Sequence, residues 1–316
     1  MYNTTKPYNK DISDLIKQTW QTPYLSVRRH GIFTQKFSGD FEIYSHTDGI
    51  GTKGVYHWNQ KTLDFAAIDA LAMNLNDLVI HRATPYKMTD HILIPTDDTR
   101  SIIEIVGTLA YECKKRNIAI VHGETAIHNN IQGLEISISM DGFISNPKEN
   151  RFQIGDALIG FRSNGIHSNG YTKIREIFKE EFREDFVTPT RIYSDDILKL
   201  DKTFDIHGMM HITGGAFTKL RQGNPSEPLP LDADAIITKD HTLKPQEIFF
   251  EIYKKGVEDK QMYNTFNCGI GFVMSVPKKD AKKIIQNLDA QIIGEVVSGT
   301  GKIKIESMFS DAQIKY

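Results

Sequence analysis

The strongest restriction on the fold is a break in pattern at residues 145–155, where Pro147 and a run of charged side chains interrupt a regular succession of strands and helices. Before the break, residues 41–46 alternate like a strand, 63–80 and 102–116 carry helical apolar spacing, and 118–121 and 134–140 read as further strands. After it come a strand at 157–161, a glycine-rich turn, a helix at 171–182, a loop holding Pro189, another helix that Gly208 ends, and a second glycine turn at Gly214 and Gly215. Residues 224–230 read as an exposed proline-rich loop, and strands at 269–276 and 292–297 flank a basic helix at 278–288. The first 40 residues are mixed and polar, with a short helix near 11–20 and a strand beginning after Gly31. Two α+β domains, 1–150 and 151–316, follow from this pattern.

With 316 residues, 40% hydrophobic and 25% charged, the chain can bury a core in each domain. A formal net charge of −2 provides no general basic field for holding a nucleic acid, so any phosphate site has to be local. No stretch approaches the roughly 18 consecutive apolar residues of a membrane span, and the polar residues 1–14 hold no signal-peptide core. A cytoplasmic protein with neither a membrane nor a nucleic-acid partner is expected. Cys113 and Cys268 lack metal-ligand spacing and read as packing residues.

Several short segments carry chemistry. Thr47-Asp48-Gly49-Ile50-Gly51-Thr52-Lys53 follows a strand. Asp48 offers a hard oxygen ligand, Gly49 and Gly51 let backbone N–H groups approach an anion, and Lys53 supplies positive charge. An Asp-Gly pair equally makes a plain turn. On the helix at 63–80, Ile68, Leu71, Leu75 and Leu78 form an apolar face, while Asp69, Asn76 and Asp77 gather opposite, either as a solvated face or as a rigid metal or nucleotide site. Glu124, in His122-Gly123-Glu124-Thr125-Ala126, again follows a strand and either joins Asp48 and Asp77 around a metal or caps a turn. In the second domain, Ser163, Gly165, Ser168, Asn169 and Gly170 lie between a strand and a helix start, where free N–H groups make an anion pocket or Ser168 merely caps the helix. His167 lies within that loop. His211, Thr213, Gly214 and Gly215 form a further turn that can line a substrate or simply connect elements.

Taken in order, T-D-G-x-G-T-K, A-x-D-x-x-A-M-x-x-N-D-L, G-E-T-A, G-D-x-L-I-G-x-x-S-x-G-x-H-S-N-G-Y, T-P-T-R-I-Y, H-I-T-G-G, M-Y-x-T-F-N-x-G-I-G and I-G-E-V resemble the aminoimidazole ribonucleotide (AIR) synthetases, over residues 45–300. The resemblance implies an α+β, two-domain fold whose first-domain strands build a barrel shared by a homodimer, with a C-terminal α+β domain. It implies ATP-dependent cyclisation of formylglycinamidine ribonucleotide to AIR, ADP and phosphate in purine biosynthesis. Asp48, Asp77 and Glu124 would hold Mg²⁺ with ATP, adjoined by Lys53, Thr52, Gly49, Gly51, Asp69 and Asn76. Ser163, Gly165, Ser168, Asn169, Gly170, Thr213, Gly214 and Gly215 would bind the ribonucleotide substrate or its phosphate, and His167 and His211 are the catalytic candidates.

The chain departs from the family pattern at His122, at residues 127–130, at residues 89–95 and at Ala216, where a third glycine is common. A selenophosphate synthetase would need an N-terminal Cys, and residues 1–112 contain none. A related ATP-dependent small-molecule kinase and a non-catalytic nucleotide-binding paralogue are the alternatives. The paralogue has no need of buried carboxylates, which are costly to desolvate.

Overall fold

The computed structural model describes residues 6–221 and 227–316, so the expected loop at 224–230 lies partly outside the described residues. The chain forms two compact units: residues 1–147 with 182–192, and residues 148–181 with 193–316. The short stretch Phe182–Ile192 therefore leaves the second unit's sequence and packs as part of the first.

The first unit runs α1 (Asn9–Lys17), β1 (Leu25–Arg29), β2 (Ile32–Gln35), β3 (Glu42–Gly49), α2 (Lys53–Gln60), α3 (Leu63–Ile80), β4 (Thr84–Ile94), α4 (Thr99–Lys115), β5 (Ala119–Ile127) and β6 (Glu135–Ile144). Among the described residues β3, β6, β4 and β5 form one sheet in that order, with β4 and β5 parallel and the other neighbours antiparallel. The helix α4 starts where Asp98 accepts the Ser101 N–H at 3.1 Å, and Lys114 and Lys115 in its last turn oppose the negative end of its dipole. Leu71, Leu75 and Leu109 from α3 and α4 pack on Met88, Ile136 and Ile138 of the sheet. A smaller cluster, Trp20, Leu25, Val27, Tyr86 and Val121, gathers the β1–β2 hairpin against β4 and β5, with the Trp20 indole N–H donating to the Ile120 carbonyl at 3.0 Å.

The helix α3 does not have the solvated face that its sequence allows. Asp69, Asn74 and Asn76 are buried along with the apolar side. The returning stretch Phe182–Ile192 supplies the reason for Asp69 and Asn76, which Thr190 and the Arg191 carbonyl satisfy, while Asn74 donates to the Ala70 and Asp48 carbonyls.

The second unit runs β7 (Ala157–Arg162), α5 (Tyr171–Phe178), α6 (Ser194–Asp201), β8 (Gly208–His211), β9 (Ala233–Ile237), α7 (Glu247–Lys254), α8 (Asp259–Thr265), β10 (Ile270–Val276), α9 (Lys278–Ile285), β11 (Ala290–Ser298), β12 (Ile303–Glu306) and β13 (Gln313–Lys315). Among the described residues its sheet has the order β13-β12-β9-β11-β7-β10-β8, parallel only between β12 and β9. Every residue of β10 is buried, as its unbroken apolar run suggests. Residues 208–211, expected after a helix that Gly208 ends, form instead the edge strand β8, pairing Met210 with Val273. Gly208 is needed for packing, since a Cβ there would lie 2.6 Å from the Phe152 ring.

Candidate active site

Strand register brings acidic residues of the first unit into one row. Asp48 on β3 is paired with Ile138 on β6, Ile138 with Asp90 on β4, and Asp90 with Gly123 on β5, next to Glu124. Asp48 and Asp90 are thus two strand spacings apart, roughly 10 Å. Asp77 reaches this region from α3: its carboxylate lies 3.4 Å from His46 Nε2, while His46 Nδ1 meets Asn74 Oδ1 at 3.1 Å and Asn74 donates to the Asp48 carbonyl at 3.2 Å. Among the described residues no group of three His, Cys, Asp or Glu side chains converges closely enough to hold a metal unaided.

Asp90 was not singled out in the sequence, lying within the atypical residues 89–95. Its carboxylate rests against Gly123, where a Cβ would stand 2.7 Å from both oxygens. Burial, followed by the neighbouring Glu124 carboxylate, pushes the Asp90 carboxyl up to about 7. Glu124 itself is ion-paired to Lys6 at 2.7 Å. These residues border a cavity of about 540 Å³ lined also by the apolar Ile12, Ile16, Val106 and Ile120 and the polar Ser13, His30 and His122. The His30 and His122 rings meet edge to face at 6.2 Å.

Lys53 and Asp69, expected beside the nucleotide, point inward. Both are fully buried. The Asp69 carboxylate accepts from Lys53 at 2.8 Å, from the Thr190 N–H at 2.7 Å and from the Thr190 hydroxyl at 2.5 Å, and it meets His57 Nε2 at 2.8 Å. Lys53 also donates to the Thr188 carbonyl at 2.6 Å, and Asn76 donates to the Arg191 carbonyl at 2.8 Å. These contacts fasten the stretch Phe182–Ile192 to α2 and α3. The three residues are thus buried and engaged within the unit's interior. Thr52 is the N-cap of α2, with no side-chain capping bond. Gly49 and Gly51 form the turn ahead of it, Gly51 at φ +55°.

In the second unit the two glycine turns do come together. Asn169 Oδ1 lies 3.4 Å from the Cβ position of Gly214, and the Asn169 amide nitrogen is buried with no hydrogen-bond partner among the described residues. Lys219 donates to the Thr213 hydroxyl at 2.8 Å. Gly165, Gly170 and Gly215 have φ values of +155°, +75° and +81°, and Gly170 admits the Phe266 ring, 2.3 Å from its Cβ position. Ser163 is buried and held by Gln246, whose amide donates to the Ser163 carbonyl at 2.5 Å. Ser168 lies half-buried in the same loop. His167 and His211 are both fully buried. Tyr193 sits between them, with ring centroids at 6.1 and 6.3 Å, and donates its hydroxyl to the Arg162 carbonyl at 2.9 Å. His167 Nε2 also meets Asn164 Oδ1 at 3.0 Å, and His211 stacks on Phe272. Asn267 braces the loop by donating to the Gly165 carbonyl at 2.8 Å.

Residues 31–144 match the N-terminal domain, and residues 153–306 the C-terminal domain, described as AIR synthase related protein. A phosphoribosylformylglycinamidine cyclo-ligase of Clostridium novyi is 36% identical over 83% of this chain and 86% of its own length. One from Methanocaldococcus jannaschii is 33% identical over 88% of this chain and 84% of its own. The chain belongs to the AIR synthase family. The AIR synthase fold extends to solved structures of low identity. A hydrogenase maturation protein HypE in complex with ATP has a TM-score of 0.69 at 16% identity, covering 97% of this chain and 92% of its own. A thiamine-monophosphate kinase from Stenotrophomonas maltophilia has a TM-score of 0.65 at 16% identity, covering 95% and 96%. Thr190, Tyr193, Asn267 and Gly271, which tie the AIR synthase loops together here, all lie in two segments that carried the sequence resemblance, 188–193 and 262–271. Their signal was segment identity, since none belongs to a residue type that announces chemistry.

Proposed function

We propose that this chain catalyses the ATP-dependent closure of formylglycinamidine ribonucleotide to 5-aminoimidazole ribonucleotide, releasing ADP and phosphate. The observation that carries the proposal is the row of Asp48, Asp90 and Gly123–Glu124 across one sheet, in a chain of the AIR synthase family. The formamide oxygen is a poor leaving group. Transfer of the terminal phosphoryl of ATP to that oxygen turns it into phosphate, which departs as the amidine nitrogen attacks the same carbon and closes the ring. Such a reaction asks the protein mainly for positioning and charge neutralisation.

The acidic residues fit Mg²⁺. A carboxyl raised by burial and then by an adjacent carboxylate is one that a divalent cation relieves, and Mg²⁺ needs only one or two protein carboxylates when phosphates and waters complete its shell. Asp90 and Glu124 form one such pair, and Asp48, with Asp77 behind His46 and Asn74, forms a second acidic position. When bound, Mg²⁺ would neutralise the phosphate oxygens. The cavity beside Glu124, lined by both apolar and polar side chains, suits a nucleobase. In the second unit, the unpartnered Asn169 amide, Lys219, Thr213 and the Gly214–Gly215 turn suit the ribonucleotide phosphate. His167 and His211, buried on either side of Tyr193, act in this reading by holding those loops. The enzyme works as a homodimer: α3 and α4 cover one face of the β3-β6-β4-β5 sheet, while Ile43 remains 46% exposed on the edge strand β3.

The test is to add formylglycinamidine ribonucleotide, Mg²⁺ and ATP and follow ADP and AIR in parallel, with Asp48→Ala as control. Equal ADP and AIR, both lost in the control, are expected. ADP without AIR would reassign the protein to a kinase.

A further inference from the structure

We infer that Glu135 is a positioning residue that occupies the Asp48 turn with its own carboxylate, in the place where a glycine-rich turn would otherwise receive a phosphate. The first two N–H groups of that turn already have partners. Gly49 N–H donates to Asp48 Oδ1 at 2.7 Å, Ile50 N–H donates to the Ile136 carbonyl at 3.2 Å, and the Glu135 carboxylate lies against the turn at Gly49, with the Ser137 hydroxyl beside it. The fit is close: a Cβ on Gly49 would stand 2.5 Å from Glu135 Oε1, so the missing side chain is the space the carboxylate fills.

Backbone packing puts Glu135 there. Leu134 N–H donates to the Gly54 carbonyl at 3.2 Å, a Cβ on Gly54 would lie 1.9 Å from the Leu134 carbonyl oxygen, and one on Gly133 would lie 2.4 Å from Val55 Cα. Two glycines thus let the chain ahead of β6 press against the start of α2, delivering the next side chain to the turn. With the Asp48 and Glu135 carboxylates both held at this turn, an incoming phosphate oxygen meets repulsion. The turn then serves to aim Asp48, whose Oδ1 it fixes.

This inference rests on the reading of Asp48 as a metal-binding residue, but its first test does not use catalysis. In full-length ¹⁵N-labelled protein, the Gly49, Ile50 and Gly51 amide resonances are followed while inorganic tripolyphosphate is added. They are expected to stay in place in the wild type and to shift saturably in Glu135→Ala; a saturable shift in the wild type would overturn the inference. In the enzyme, Glu135→Ala is expected to raise the Mg²⁺ concentration for half-maximal rate by about tenfold or more, while Glu135→Gln, which keeps an acceptor oxygen, stays within about threefold of wild type. If Glu135→Ala does not fold, the wild-type titration and Glu135→Gln decide. An equal Mg²⁺ defect in both variants would also overturn it. Absence of AIR formation in the wild type would defeat the cyclo-ligase reading alone and leave the amide titration standing.

Discussion

Lys53 and Asp69 meet inside the first unit at 2.8 Å, and neither side chain touches solvent. Removing one partner strands the other. Lys53→Met leaves a buried carboxylate without its cation, still held by His57 and Thr190, and a cost of about 3–5 kcal/mol is expected. Urea unfolding should show a lower midpoint, and activity lost in this variant should follow the loss of folded protein and leave the KM for Mg·ATP in the folded fraction unchanged.

The same pair makes the first unit acid-sensitive. Burial raises the Asp69 carboxyl, but Lys53 and His57 more than offset it and hold the group well below the usual carboxylate range. A carboxyl depressed in the folded state contributes stability that is present above its unfolded value, near 4, and fades as pH falls below it. Unfolding midpoints measured from pH 5 to pH 2 should fall in the wild type more steeply than in Asp69→Asn, once the latter's lower baseline is subtracted.

His241 gives the second unit a separate dependence. Burial, then Lys244, pushes its imidazole down to about 4, and its Nδ1 is buried without a hydrogen-bond partner among the described residues. The unfolded chain takes up this proton first, so stability is lost as pH falls from 6.5 towards 4. His241→Phe should flatten the stability profile across that window, read by denaturant unfolding at half-unit intervals.

Asp90→Asn tests the acidic row. The variant removes a carboxylate and keeps its shape, so the fold should survive while the Mg²⁺ needed for half-maximal rate rises by roughly tenfold or more. An unchanged Mg²⁺ requirement would remove Asp90 from the site.

Gly271→Ala tests the second unit. Its Cβ would lie 2.1 Å from the Tyr193 hydroxyl and 2.6 Å from His167 Cε1, so both rings must shift. Overpacking of this kind costs about 1–3 kcal/mol. The KM for the ribonucleotide should rise with that for Mg·ATP little changed, a split that global destabilisation does not produce.

Much of this was legible in the residues themselves. The helix at 63–80 has the observed ends because its apolar spacing is unbroken by Gly or Pro. The strand at 84–94 was invisible, since Lys87, Thr89, Asp90 and His91 disturb its alternation and only pairing on both sides makes it a strand. With it went Asp90. The polar face of α3 looked equally suited to water or to a ligand, because the partner that buries it arrives from more than a hundred residues downstream. Glu135 likewise carries no local signal; its role depends on Gly54 and Gly133 touching a neighbouring segment. Family segments pointed to the second-unit loops more reliably than residue chemistry did, since Tyr193 and Asn267 act there by bracing backbone.

The return of Phe182–Ile192 to the first unit also sets an order of events on the ribosome. The Lys53 and Asp69 charges are made early, yet the Thr188 carbonyl and the Thr190 groups that complete their shell emerge only after the opening strand and helix of the second unit. During translation the first unit therefore passes through a stage in which its two central charges are uncovered, and a nascent chain released before residue 190 would be held in that unsealed form.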